Sequence, residues 1–143
     1  MVVKIATGYF AKARQYSEMG YALVSIALKQ PWFLSNKLKV HRLDGFAPTE
    51  EILELKNNPD EYERRYRKDV LSKLDFNEVC NSLFSILKQE CTDKIVLLCY
   101  EAPDKFCHRH IAAKWIRDRL GIDVREADAV DNNGESLLFS DAI

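Results

Sequence analysis

The chain predicts an α/β fold of three layers, with a mainly parallel sheet of about four to five strands and helices packed on it, Rossmann-like in plan. Three observations carry this. Ile95 to Leu98 form an unbroken apolar run, the pattern of a parallel strand buried on both faces. From Ile111 onward the apolar residues switch to helical spacing, and Gly121 stops that helix before a short strand over Ile122 to Arg125. This strand-helix-strand unit, over 94–126, implies a right-handed crossover and parallel pairing of its two strands. Finally, the middle of the chain repeats strong helix-start signals.

Taken in order, Val2 to Thr7 reads as a first strand, Ala11 to Met19 as a short helix or turn, and Ala22 to Leu28 as a second apolar strand, with Gly8 and Gly20 at the junctions. Gln30-Pro31-Trp32-Phe33 reads as an irregular loop whose aromatics cover an edge of the core, and Leu38 to Leu43 as a short third strand. Thr49 is an N-cap, with Glu50 and Glu51 placed to complement the helix dipole. Asn58-Pro59-Asp60-Glu61 combines a cap, a proline at the first helical position and a carboxylate three residues on, and Asp75-Phe76-Asn77-Glu78 repeats the signal. Val79, Cys80, Leu83, Phe84 and Leu87 then define an apolar face that should cover the sheet. In the last helix Ile111, Ala112, Trp115 and Ile116 should point inward, and Lys114, Arg117 and Asp118 outward. The tail from Asp131 is polar, with Leu137, Leu138 and Phe139 available to dock back.

A length of 143 residues fits one α/β domain over 1–143, and there is no internal repeat or low-complexity segment. A net charge of −1, with 47% hydrophobic and 30% charged residues, predicts no bulk attraction to nucleic acid or to an anionic membrane. No basic leader and no run near the ~18 apolar residues of a membrane span is present, so the expected location is cytoplasmic. Cys80, Cys91, Cys99 and Cys107 are there expected as reduced thiols. Their lack of C-x-x-C spacing disfavours a zinc ribbon or a thioredoxin-like pair.

Chemistry-bearing residues crowd between Cys99 and His110, where a strand's C-terminal end feeds a helix N-terminus, the place where open α/β sheets bind ligands. Alternation sends Cys99 and Glu101 to one side and Tyr100 to the other. Cys107 and His108 fall near the helix start, whose field favours an anion and depresses a thiol's pKa. The catalytic candidates are therefore Cys99 or Cys107 as nucleophile or redox-active thiol, His108 as general base and Glu101 as its orienter or an acid. Burial as small hydrophobes is the competing reading of both cysteines. Arg109, a guanidinium at a helix start, needs an anion in compensation, either a bound ligand or Glu101. Ser25 could face the same pocket and donate a hydroxyl. No metal is assigned: His108 and His110 point to different sides of a helix, so at most one joins Cys107; Cys107 with His110 at i, i+3, plus Cys99 or Glu101, is the metal set left open, against the reading of His110 as a surface or packing residue. No cofactor is called for, no Gly-rich phosphate loop occurs, and the Cys99 to Arg109 spacing does not match the Cys-x₅-Arg loop of cysteine phosphatases.

Leu98-Cys99-Tyr100-Glu101 followed by Phe106-Cys107-His108-Arg109-His110 resembles the signature of the family catalogued as domain of unknown function 488. Val24 to Ala27, Leu43 to Pro48, Glu61-Tyr62-x-x-x-Tyr66 and Trp115 to Gly121 extend the resemblance, to the shorter members, over nearly the whole chain. It implies a compact α/β domain with a parallel sheet, and no established reaction. Lys39-Val40-His41-Arg42 is more basic than the family pattern leads one to expect.

Two function classes stand. One is a small enzyme or binding domain holding a small anionic, nucleotide-like molecule at the Cys99 to His110 turn. The alternative is a nucleic-acid-associated module using Tyr62, Arg64, Arg65, Tyr66, Arg67 and Lys68, extended by Lys37, Lys39, His41 and Arg42. Against the alternative, Tyr62, Tyr66 and Val70 recur every four residues, the spacing of a core stripe.

Overall fold

A computed structural model describes residues 2–31, 33–34, 37–101 and 106–127. Its strands are β1 (Lys4–Tyr9), β2 (Ala22–Ser25), β3 (Val40–Arg42), β4 (Lys94–Cys99) and β5 (Val124–Glu126); its helices are α1 (Ala13–Glu18), α2 (Glu50–Leu53), α3 (Pro59–Asp69), α4 (Phe76–Glu90) and α5 (His108–Leu120). The five strands form one all-parallel sheet in the order β3-β2-β4-β1-β5. The three-layer α/β expectation holds. One detail changes: β4 and β5 are parallel but do not touch, because β1 lies between them.

Residues 95–99 of β4 are all buried, as the apolar run predicts, and alternation splits them between two cores. Ile95 and Leu97 pack, with Ile5 and Val24, under Ile52 of α2, Tyr62 and Tyr66 of α3, Leu83 and Leu87 of α4 and Trp115 of α5. Val96 and Leu98 pack, with Ala6 and Leu23, under Ala13 and Tyr16 of α1. Gly8 makes that second contact possible: a Cβ there would lie 2.6 Å from the Tyr16 ring.

The helix starts follow the caps. Thr49 Oγ1 accepts from the Ile52 amide at 3.2 Å, Asn58 Oδ1 from Glu61 at 3.3 Å, and Asp75 Oδ1 from Asn77 at 2.8 Å and Glu78 at 3.2 Å. α5 stops at Gly121 in the left-handed conformation, φ 69°. Two expectations need correction. β2 ends at Ser25 rather than Leu28, because Ala27 to Lys29 leave the sheet to wall a cavity. The buried face of α4 is Val79, Leu83, Ile86 and Leu87, with Cys80 half-buried and Phe84 54% exposed, so the inward stripe is rotated relative to the predicted one. Trp32 and the tail from Asp131 lie outside the described residues. No helix among the described residues is long and apolar enough to cross a membrane.

Candidate functional site

The chain moves outward from β1 to β2 and β3, then returns to β4 at the centre of the sheet and on to β5. The direction thus reverses beside β4, and crevices open at the C-terminal ends of strands at such switch points. A cavity of about 350 Å³ lies there, beyond the ends of β2 and β4 and under α2 and α3. Leu53, Tyr62 and Phe106 give it apolar walls, Lys29 and Lys56 are its cations, and Cys99, Cys107 and His108 line it as well.

Cys99 and Cys107 are disulfide-bonded, with their Cα atoms 7.4 Å apart. This corrects the expectation of four reduced thiols: a strand end and a helix cap bring together cysteines eight residues apart, which no C-x-x-C count registers. Among the described residues Cys80 and Cys91 are free.

His108, the first residue of α5, is 4% exposed. Its Nε2 donates to the Ile26 carbonyl oxygen at 2.6 Å, and Nδ1 stands 3.7 Å from Cys107 Sγ. A carbonyl only accepts, so Nε2 carries the proton and Nδ1 presents a bare lone pair to the sulfur. Burial pushes the imidazole down to about 4, with the Arg109 charge adding to the effect, so the ring is neutral at neutral pH. The Tyr66 ring meets it edge-on at 5.4 Å.

Arg109 is 0% exposed and does not line the cavity, which corrects its expected role as an anion clamp. Its expected protein partner also changes. Nε donates to Glu126 Oε1 at 2.6 Å, Nη1 donates to Cys99 Sγ at 2.9 Å and to the Glu101 main-chain carbonyl, and Nη2 is buried without a partner among the described residues. The Glu101 carboxylate turns instead to Lys56 Nζ at 2.9 Å, on the cavity wall.

Ser25 is buried, but in β2 it shares the side of Leu23, the α1 face, and its Oγ accepts from the Ala27 amide at 3.3 Å. It is not among the cavity-lining residues, and this corrects its expected placement. His110 is half-exposed, 3.6 Å from Glu126 Oε1, and stays apart from the sulfurs; His108 is the histidine that joins them. Tyr100 lines the cavity beside Cys99 and Glu101, because strand alternation lapses once β4 ends.

The aromatic residues of α3 face the core rather than standing beside its cations, as the every-fourth-residue stripe implied. Tyr62 and Tyr66 are 1% and 0% exposed, and Tyr66 donates its hydroxyl to the Phe46 carbonyl at 2.6 Å. Arg64, Arg65 and Arg67 pair with Glu61, Asp69 and Glu63. Of the basic stretch before α2, Lys39 and His41 both reach Glu90, and Arg42 reaches Asp44.

Sequence reasoning missed Lys56 and Glu126. A glutamate in the last strand, two residues after the apolar Val124 and so on the same face, was a readable signal for the latter. The Ile26 carbonyl left no signal, since any residue supplies one.

No curated protein and no solved structure matches the chain. The family model described as the active DUF488-N3 subclade matches residues 27–120, more than half of the sequence and every residue from Cys99 to Arg109. The matched span takes in the cysteine-histidine-arginine turn, and this chain belongs to the DUF488 family, in its N3 subclade.

Proposed function

We propose that the protein binds, and acts upon, a small planar anionic ligand of nucleotide type in the cavity at the ends of β2 and β4. The observation that carries this reading is the cavity's composition. Its walls offer aromatic surface from Tyr100 and Phe106, the latter backed edge-on by the buried Tyr62 ring, its rim offers the Lys29 and Lys56 ammonium groups, and its floor is the Cys99, Cys107 and His108 cluster. About 350 Å³ falls within the size range of small-molecule sites, which combine apolar walls with a few polar groups that orient the ligand. A ring would stack against the aromatic walls and its anionic group would sit by the lysines, sharing them with Glu50 and Glu101, their partners at 3.7 and 2.9 Å. The reacting end would then face the sulfurs and the bare Nδ1 of His108. That the matching subclade is described as active supports catalysis over simple recognition.

The test is calorimetric titration of the full chain with AMP, adenosine and inorganic phosphate, in the presence of a chelator and with the disulfide intact. AMP should bind at least about tenfold more tightly than either half, a difference of about 1.4 kcal/mol. Lys56→Gln should weaken AMP while leaving adenosine unchanged. Equal affinities for AMP and phosphate, or indifference to the Lys56 change, would overturn the reading.

A further inference from the structure

We propose that the reduced Cys99, Cys107 and His108 form a binding site for one thiophilic divalent cation of the zinc class, on the floor of the cavity. The proposal rests on the reading of that cavity as the ligand site, and deepens it by naming what the floor presents. Cys99 Sγ, Cys107 Sγ and a ring nitrogen of His108 all lie within 4.8 Å of one another. Two thiolates and an imidazole are the donors that zinc prefers, and three protein ligands with a fourth position left open distinguish catalytic zinc sites from closed structural ones. Here the open side would be the cavity, which all three residues line.

Three further features of the surroundings point the same way. The hydrogen bond from Nε2 to the Ile26 carbonyl fixes the tautomer with Nδ1 free to coordinate, the outer-shell arrangement usual for metal-bound histidine. Charge balance is the second. Arg109 and Glu126 cancel each other beside the sulfurs, so two thiolates buried at 1% and 6% exposure would leave two uncompensated negative charges. Such a cluster is neutral when the sulfurs are bonded to each other, or when they share a divalent cation. The third is backbone spacing. The Cα atoms stand 7.4 Å apart, wider than the roughly 4.4–6.8 Å usual across a disulfide. That leaves room for sulfurs about 3.8 Å apart around one ion, the separation that Zn–S bonds of about 2.3 Å require.

The chemistry balances in two steps. A dithiol supplies two electrons and two protons to the Cys99–Cys107 disulfide, giving two thiols and becoming a cyclic disulfide itself. Cation binding then forms two metal–sulfur bonds and one metal–nitrogen bond, and releases the two thiol protons to solvent.

The experiment uses the full chain, reduced with dithiothreitol, desalted without oxygen and titrated with Co²⁺. One equivalent should bind, with the visible bands of a tetrahedral ion and the sulfur-to-metal absorption of two thiolates. In the same sample, iodoacetamide should label Cys80 and Cys91 while Cys99 and Cys107 become protected, a readout that needs no variant to fold. His108→Gln should weaken Co²⁺ by at least about tenfold. Absence of uptake, uptake without thiolate absorption, or unchanged labelling of Cys99 and Cys107 would overturn the proposal. Because AMP binding is measured with chelator present and the disulfide closed, the ligand reading and the metal site fail separately.

Discussion

Arg109→Met tests the central electrostatic arrangement of the site. Methionine keeps much of the volume and removes a guanidinium that donates to Glu126, to Cys99 Sγ and to the Glu101 carbonyl. Removing one partner of a buried ion pair costs about 3–5 kcal/mol, because the other charge stays behind in a dry site. The Glu126 side chain is 20% exposed overall, so its desolvation is incomplete even though Oε2 is buried, and the lower end of about 3 kcal/mol is the expected loss. With a urea m-value of about 2 kcal/mol/M, that lowers the unfolding midpoint by roughly 1.5 M with unchanged slope. Trp115 fluorescence, from a ring 4% exposed in the core, reads the transition. The companion variant decides the cause: Arg109→Met with Glu126→Leu removes the orphaned carboxylate and should recover a large part of the loss. A loss under about 1 kcal/mol, or a double variant no more stable than Arg109→Met, would refute the claim that this pair is buried and coupled.

His108 predicts a pH dependence for the oxidised protein. Its folded value of about 4 lies below the unfolded 6.5, so the unfolded chain takes up a proton that the folded one refuses; this contribution is whole above pH 6.5 and lost as pH falls toward 4. Between pH 6.5 and 5, above the range of ordinary carboxylates, wild type should lose about 2 kcal/mol by urea denaturation while His108→Gln stays nearly flat; parallel curves would sink this. Gly8→Ala places a Cβ 2.6 Å from the Tyr16 ring and should cost about 1–3 kcal/mol, seen as a lower Tm; an unchanged Tm would mean that α1 yields. Tyr66→Phe strands the Phe46 carbonyl in the core at about 1–3 kcal/mol, and a neutral result would place that hydroxyl in water.

Much of the fold was legible because it rests on local signals. The β4 run, the caps at Thr49, Asn58 and Asp75, and the stop at Gly121 each act within a few residues, and each appears where expected. Strand neighbours were harder to read, since nothing near Val124 reports that β1 rather than β4 lies beside it. The site divided along the same line. The crowding of Cys99, Glu101, Cys107 and His108 was visible, and all four line the cavity. What each side chain touches depended on distant segments: Ile26 for His108, Lys56 for Glu101, Glu126 for Arg109. Arg109 shows the cost of a local rule, since a guanidinium at a helix start suggested a bound anion, and a strand residue 17 positions later supplies the carboxylate instead.

The position of β4 between β1 and β2 has a consequence for how the chain acquires its shape during synthesis. Until residue 99 has been made, β1 has no strand to pair with, because both of its neighbours, β4 and β5, come later in the chain. Up to that point only β2 and β3 can join, through three residue pairs. Most of the apolar surface of β1 and β2 therefore waits for a partner some 70 to 90 residues downstream, a non-local step of the kind that slows folding and lengthens exposure to aggregation. The strand that carries Cys99 is thus also the one whose arrival closes the sheet.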